Sequence, residues 1–532
     1  SRGELVKEKK MKQSNLLIPD LQRMLGEKIT EESQRFLVKS GFLGSSQDNQ
    51  YVFLPLAMRV IENIKNIVTE ELEKLSAVEF QLPVQSSLHA EEYLSTLLLK
   101  EPENLQNNTS MQLYQIQTAL IANQKKAGHF LTNFESTYLD AFSFHETSVS
   151  LSENYHRYEQ LFGRILARCD LQFQSVIALN KETNQQDTKE IIADSPEGDE
   201  HYCASSESDY RAKIEVATRL CSGKKSHASY LPLVKKTFAE NIEEAQGQWL
   251  KSYFLRAGKQ PIVLFLRQED QLNLAKVTNF FKQKVVQVKP KEIEKYFGQA
   301  REMLDVWNLP QEVTYLGDLE VEFLTNTKMI APHSEQEYYE NINPLRDFPN
   351  VAFADFCFVK EGDPSPDGQG VLIFKKGVKI GQLYKKNQTL PEEEKATIPF
   401  HIGHYQLDLS RLFLMIAQQH RTESGIIWPE EVAPFDLHLI PTDLTDSYQQ
   451  ELVEAVNAMM AEEFQILIDD RNLPLEEKQN EAAFIGCPIE ITIGKKAVEG
   501  ILEVKIRATE AVIEVRKEEL VDTLNILFYS AE

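Results

Sequence analysis

Two apolar strand patterns separated by a polar turn occupy Leu113 to His145 and limit what this chain can fold into. Leu113, Tyr114 and Ile116 open the stretch, and Tyr138, Phe142 and Phe144 close it. Apolar and aromatic residues at alternate positions predict extended strands. Between them runs Asn123 to Gly128, with Lys125 and Lys126 side by side. The stretch is therefore read as a long antiparallel hairpin, and a hairpin of this length needs further strands and a covering helix to be stable.

At 532 residues the chain is long enough for three or four domains. Its net charge of −24 and pI near 5.1 exclude a general electrostatic attraction to phosphate, so any nucleic-acid contact must come from local basic patches. The charge also serves plain solubility. The five cysteines (Cys169, Cys203, Cys221, Cys357, Cys487) are scattered and odd in number, and no CxxC or HExxH spacing occurs. That usage fits a reducing cytoplasm and points away from a disulfide framework or a structural zinc. No apolar run reaches membrane-spanning length. Ser1 to Lys10 is charged and is set aside as an extension ahead of Met11.

In chain order, Ser33 to Gly41 has a short helical pattern. Val60, Ile64, Ile67, Val68, Leu72 and Leu75 fall on one face of a long helix. A strand, Val78 to Leu82, ends at Pro83. Asn154 to Phe173 reads as a helix leading into a strand. Cys221 to Lys379 reads as an α/β insertion, with strands Ile262–Leu266 and Val285–Val288 around a helix that carries Leu274, Val277 and Phe280. Strands Leu437–Ile440, Phe464–Asp469, Ile489–Ile493, Leu502–Ile506 and Val512–Arg516 alternate with helices Thr445–Met460 and Lys517–Leu527, an α/β pattern.

Several blocks resemble bacterial-type prolyl-tRNA synthetase, a class II aminoacyl-tRNA synthetase with an editing insertion. They are QIQT at Gln115 to Thr118, the segment Asp140 to His145, VKEGDPSPDGQG from Val359 to Gly370, Ser410-Arg411-Leu412, GIIWPEEVAPFDLHLIP from Gly425 to Pro441, and IGCPIEITIGKKAVEG from Ile485 to Gly500. The resemblance implies an α/β (α+β) protein: a class II antiparallel-sheet catalytic core at 11–220 and 381–430, an α/β editing-type insertion at 221–380, and an α/β anticodon-binding-like domain at 431–532. It also implies a homodimer through the long helix before Pro83, and tRNA(Pro) as a partner.

Position by position, however, the residues that the resemblance requires for amino-acid activation are replaced. The Thr-x-Glu that holds the ammonium group falls on Ala90 and Glu92. The first arginine of motif 2 falls on Ile121, its acidic neighbours on Ala122 and Asn123, and a later arginine on Phe134. Gln382 replaces a histidine, and Gln406 and Asp408 replace two glycines of motif 3. An isoleucine has no donor for a developing phosphate charge. Arg411, Lys125 and Glu92 remain as nucleotide-contact candidates, with surface charge as the plain alternative. In the insertion the editing lysine falls on Lys276 and the histidine on Tyr338. Lys276 also reads as an ordinary solvated helix lysine. Asp470 and Arg471 lie in the anticodon-domain match.

Three functions follow. The first is a non-catalytic relative that binds tRNA or a protein partner. The second is a working ligase for proline or another carboxylic acid, and only this one calls for ATP and Mg²⁺. The third is a deacylase acting through the insertion. DNA, a membrane and a bound metal are not expected.

Overall fold

The computed structural model describes residues 10–18, 32–45, 51–82, 93–94, 110–120, 135–179, 188–223, 228–238, 247–307, 309, 312–348, 350–388 and 400–529. The chain divides into two compact units. The first takes residues up to 173, 192–197 and those from 378 onward; the second takes 174–191 and 198–377. Strand Glu200–Ser205, within the 11–220 span that the resemblance gives to the catalytic core, lies in the second unit.

The first unit holds two sheets. In one, Ser110–Leu120 pairs antiparallel with Glu135–His145 over the full length of both, as the opening pattern predicts. Glu135–His145 pairs in turn with Phe400–Asp408, which pairs with residues 381–388. The edge strand Val78–Glu79 runs parallel to Ser110–Leu120. Alternation gives this sheet two different faces. On one face Tyr405 stacks on Tyr158 of helix Ser148–Arg168, with centroids 3.7 Å apart and 3° between planes. A Cβ at Gly403 would lie 2.0 Å from the Tyr405 hydroxyl, so this position admits only glycine. The other face carries Tyr138, Asp140, His404, Gln406 and Asp408.

Helix Pro55–Glu73 starts with proline at its first turn, where no amide partner is lost. It buries Val60, Ile64, Ile67, Val68 and Leu72, the stripe predicted from spacing. Glu71 on this helix is 1% exposed and accepts from Arg164 Nε at 2.8 Å, Arg168 Nη1 at 3.2 Å and Lys74 Nζ at 2.6 Å. Burial alone would raise its pKa; the three cations outweigh it and hold the carboxyl down to about 2.

The second sheet of this unit has the order Lys10–Lys12, Ile466–Ile468, Leu437–Pro441, Ile489–Ile493, Ile501–Ile506, Ala511–Arg516. Four of the five strands read from the sequence here match within a residue. Lys10 corrects the reading of Ser1 to Lys10 as an extension outside the fold: Lys10–Lys12 runs parallel to Ile466–Ile468 as an edge strand. A further helix, Leu475–Ile485, follows strand Ile466–Ile468.

The second unit is built on a sheet ordered Val234–Thr237, Glu337–Ile342, Thr327–Ile330, Trp249–Ala257, Gln260–Arg267, Thr314–Asp318, Ala352–Ala354. Helix Leu274–Phe281 covers part of one face, sealing Leu255, Ile262, Leu264, Leu266 and Leu316 with Val277. The opposite face packs on Phe297, Val306, Val321 and Phe348.

Candidate functional site

On the face of the hairpin sheet opposite helix Ser148–Arg168, cross-strand register brings Gln382, Gln406, Asp140 and Gln115 into one row. The row is bonded as far as Asp140. Lys379 Nζ donates to Gln382 Oε1 at 2.7 Å, Gln382 Nε2 to Gln406 Oε1 at 2.5 Å, and Gln406 Nε2 to Asp140 Oδ1 at 3.1 Å. Asp140 also bonds His404 Nε2, and the Tyr384 hydroxyl bonds His404 Nδ1. Phe142 stacks on the imidazole with centroids 4.3 Å apart. From Lys379 to Asp140 each long side chain supplies what its neighbour needs, whereas Gln115 Oε1 accepts from Leu82 N at 3.2 Å and its Nε2 is buried without a partner among the described residues.

Arg411 lies on helix Leu409–Gln419, capped by Asp408, whose Oδ1 accepts from the Arg411 amide at 2.9 Å. Asp408 also accepts from Ser136 Oγ and lies 3.4 Å from Arg411 Nε. Arg411 Nη1 donates to the Lys379 carbonyl at 3.0 Å. Burial pushes the Asp408 carboxyl up and Arg411 opposes it. The cation that the sequence offers to a nucleotide is thus engaged by a carboxylate of its own helix. Gln406 and Asp408 stand on this face at positions where the resemblance implies glycine. Ala90, Glu92, Ile121, Asn123, Lys125 and Phe134 lie outside the described residues.

In the second unit, Asn273 caps helix Leu274–Phe281, accepting from Ala275 N at 3.1 Å and Lys276 N at 3.4 Å. The helix turns Lys276 inward. Its side chain is buried, so the reading as a solvated lysine is corrected. Lys276 Nζ donates to Asp355 Oδ2 at 2.7 Å and to the Cys357 carbonyl at 2.6 Å. Burial pushes the Asp355 carboxyl up, against Lys276. Asp355 Oδ1 is buried and has no hydrogen-bond partner among the described residues. Asp355 was not singled out in the sequence. The signal was there: one acid inside the apolar run AFADFCF.

A second ion network lies beside this pair. Arg219 Nη2 is 2.9 Å from Asp318 Oδ2 and 4.0 Å from Asp270. Arg267 and Lys360 also hold Asp270, at 2.8 and 2.7 Å. Asp270, Asp318 and Cys357 bring their ligand atoms within 4.8 Å of one another, spacing that a metal ion could use. Arg219 already supplies the cation there, so the cluster needs no metal to balance it. Lys360 and Asp363 tie the Val359 to Gly370 block into this network.

Tyr338 is not brought to Lys276. It sits on Glu337–Ile342, five strand steps from Ala352–Ala354, the strand that leads into Asp355. Strand spacing makes that roughly 24 Å along the sheet. Asp470 and Arg471 are likewise turned inward. Asp470 accepts from Ser14 N at 3.0 Å and Ser14 Oγ at 2.7 Å. Arg471 pairs with Asp469 at 2.8 Å and with Glu481 at 2.5 Å. Asp470 thus ties the turn after strand Lys10–Lys12 to the sheet.

Comparison with known proteins agrees with these two folds. The profile of the family described as "Anticodon binding domain" matches residues 436–526, and that of "Aminoacyl-tRNA editing domain" matches residues 235–348, which include Lys276 and Tyr338. The proline–tRNA ligase of Listeria innocua serovar 6a is 33% identical over 97% of this chain and 100% of its own length. That of Ligilactobacillus salivarius is 32% identical over 97% and 99%. Among solved structures, prolyl-tRNA synthetase from Cryptosporidium parvum complexed with L-proline and AMP aligns over 93% of this chain and 77% of that chain, with TM-score 0.47 and 11% identity.

Proposed function

This chain belongs to the proline–tRNA ligase family, and from that premise we propose that it is a relative that does not adenylate proline and acts by binding tRNA(Pro). The bonded row from Lys379 through Gln382, Gln406 and Asp140 to His404, with Asp408 holding Arg411, carries this reading. Amino-acid activation needs preorganised donors aimed at charge developing on the α-phosphate. On the described face those donors are turned on one another. The replacements at Ile121 and Phe134 point the same way.

ATP–pyrophosphate exchange with the purified chain tests it, first with proline and then with a panel of amino acids. The expected result is exchange at background for all of them. Exchange with proline overturns the proposal, and exchange with another acid makes the chain a repurposed ligase. Binding of tRNA(Pro), measured beside capture of protein partners, then decides whether the family's ligand or a protein is held. Dimerisation through helix Pro55–Glu73 belongs to the same reading and is checked by molar mass in solution.

One observation favours a second activity. Lys276, inside the segment matched by the editing family, is buried against Asp355 beyond it, which keeps one oxygen without a partner among the described residues. A site with a positioned cation and an unsatisfied carboxylate oxygen is equipped to hold a polar substrate group. Hydrolysis of alanyl-tRNA(Pro), abolished in Lys276→Ala, is the expected behaviour if this site is at work. A hydrolysis rate unchanged by Lys276→Ala excludes it.

A further inference from the structure

A cavity of about 210 Å³ lies in the first unit, and none of the residues of the bonded row lines it. One wall is Trp428 and Pro429, on the segment that leads to strand Leu437–Pro441. Another is Ile489 and Ile506, opposite each other on adjacent strands of the six-stranded sheet. Phe528, near the end of helix Leu520–Tyr529, forms a third. Asp170 and His420 complete it, each just past the end of a helix, Ser148–Arg168 and Leu409–Gln419 respectively.

These walls are held by the protein's own contacts. Trp428 is buried, its Nε1 donates to the Ile485 carbonyl at 3.1 Å, and its ring stacks on Phe413. Phe528 rests on Phe464, with centroids 5.2 Å apart. His420 Nε2 donates to the Asp170 carbonyl at 2.8 Å, which fixes the turn in which Asp170 has φ 48°. A pocket already in shape spares a ligand the cost of ordering it.

Most of the lining is apolar, and its ionisable residues are Asp170, His420 and Glu430; no lysine or arginine lines the cavity. Asp170 and Glu430 are exposed, which puts their carboxylates toward the mouth. Glu431 has Arg168 at 2.9 Å, whereas Glu430 has no ion pair among the described residues. Partial burial, Asp436 and Glu431 push the Glu430 carboxyl up. A phosphate or carboxylate would meet like charge at this mouth. An ammonium meets opposite charge there and leaves its carbon body to the apolar walls. The volume is below the roughly 300–1,000 Å³ of pockets for drug-sized ligands, so the ligand is compact.

We propose that this cavity binds a compact organic cation, a primary ammonium on an aromatic or aliphatic body. The body lies against Ile489, Ile506 and Phe528, and the ammonium faces Asp170 and Glu430. The walls come from helices that pack on the hairpin sheet and from the six-stranded sheet, so an occupant ties these parts of the unit together and stabilises them. The site stands independently of the tRNA and deacylase readings.

The test is calorimetric titration of the full chain at pH 7 with phenethylammonium chloride, beside 2-phenylethanol and sodium phenylacetate. These three share a body and differ in charge. The ammonium should bind at one site per chain and raise the melting temperature as its concentration rises. The alcohol should bind about tenfold more weakly, and the anion should give no heat of binding. Asp170→Asn with Glu430→Gln, both at exposed positions, should weaken the ammonium about tenfold and leave the alcohol unchanged. Ala508→Phe, in the exposed turn after strand Ile501–Ile506, should fill the cavity and abolish binding of both. Tyr448→Ala, on an exposed helix position elsewhere in the unit, should change nothing. The proposal is overturned if the wild-type chain gives no heat with the ammonium or if phenylacetate binds as well. It is equally overturned if the double carboxylate variant binds the ammonium within twofold of wild type, or if Ala508→Phe leaves binding intact.

Discussion

The Gln406 face of the first unit and the Lys276 site of the second are both polar, and they treat polarity in opposite ways. At Gln406, side chains longer than the glycines implied by the resemblance bond one another along a row, and Arg411 is spoken for by Asp408. At Lys276, a buried cation meets a carboxylate that still has one oxygen to spare. The bonded run from Lys379 to Asp140 has little left to offer a ligand, although Gln115 Nε2 at the end of the row is buried without a partner among the described residues. A site that keeps a buried atom unpartnered carries a standing cost of about 1–3 kcal/mol that a ligand can relieve. Under the proposed reading, the chain gives up one chemistry and keeps the framework for another.

Activity should give the largest separation. Each lost phosphate-stabilising donor costs on the order of 10²–10³ in rate. Pyrophosphate exchange is therefore expected at background, while the Lys276 site stays intact; proline-dependent exchange at ordinary rates would erase the distinction.

Next in size is the Lys276 pair. Lys276→Ala strands Asp355 without its cation and should destabilise the second unit by about 3–5 kcal/mol. Adding Asp355→Ala should recover much of that, since no lone buried charge remains. Denaturant melts of the two variants check it, and a double variant no more stable than Lys276→Ala would show that Asp355 was not the injured partner.

Acid should act on the first unit before the second. His145 and His438 are both held down to about 4, chiefly by burial; His401 adds to this at His145, and Asp469 partly opposes it at His438. Groups with depressed pKa values stabilise the fold fully above the unfolded value near 6.5. That contribution, up to about 3 kcal/mol for each histidine, is lost as pH falls from 6.5 toward 4. Glu71, held at about 2, loses its share only as pH falls below about 4.5. In the second unit, Asp270 and Glu320 are held below the ordinary carboxylate range, although burial opposes it, so their loss also waits for lower pH. Hydrogen exchange followed from pH 7 to pH 4 should show the first unit opening first. Equal loss in both units would refute this.

The smallest effect is at the helix cap. Asp408→Ala should cost about 1 kcal/mol and Asp408→Asn less, because asparagine caps nearly as well. If Asp408→Asn also raises affinity for a nucleotide, the paired carboxylate was what kept Arg411 occupied.

Much of the fold was legible before any coordinates. The hairpin, the stripe on Pro55–Glu73 and the alternating C-terminal strands each follow from periodicity over many residues, and repeated local signals survive a few substitutions. The edge strand Lys10–Lys12 was not legible, because three residues carry no period and become a strand only beside Ile466–Ile468. The sites were half legible. Lys276 and Arg411 could be placed by matching, but their surroundings could not. Asp355 is 79 positions from Lys276 in sequence, and His404 is 264 from Asp140. Tyr338 looked like a partner of Lys276 and stands on a distant strand instead.

What the sequence determined by itself is the set of elements and the family, since both are written in local pattern and in blocks of matching residues. Which polar groups satisfy one another was decided only by the tertiary structure. Hydrogen bonds and ion pairs act over about 3 Å, and side chains hundreds of positions apart come within that distance only when register and packing bring their strands together.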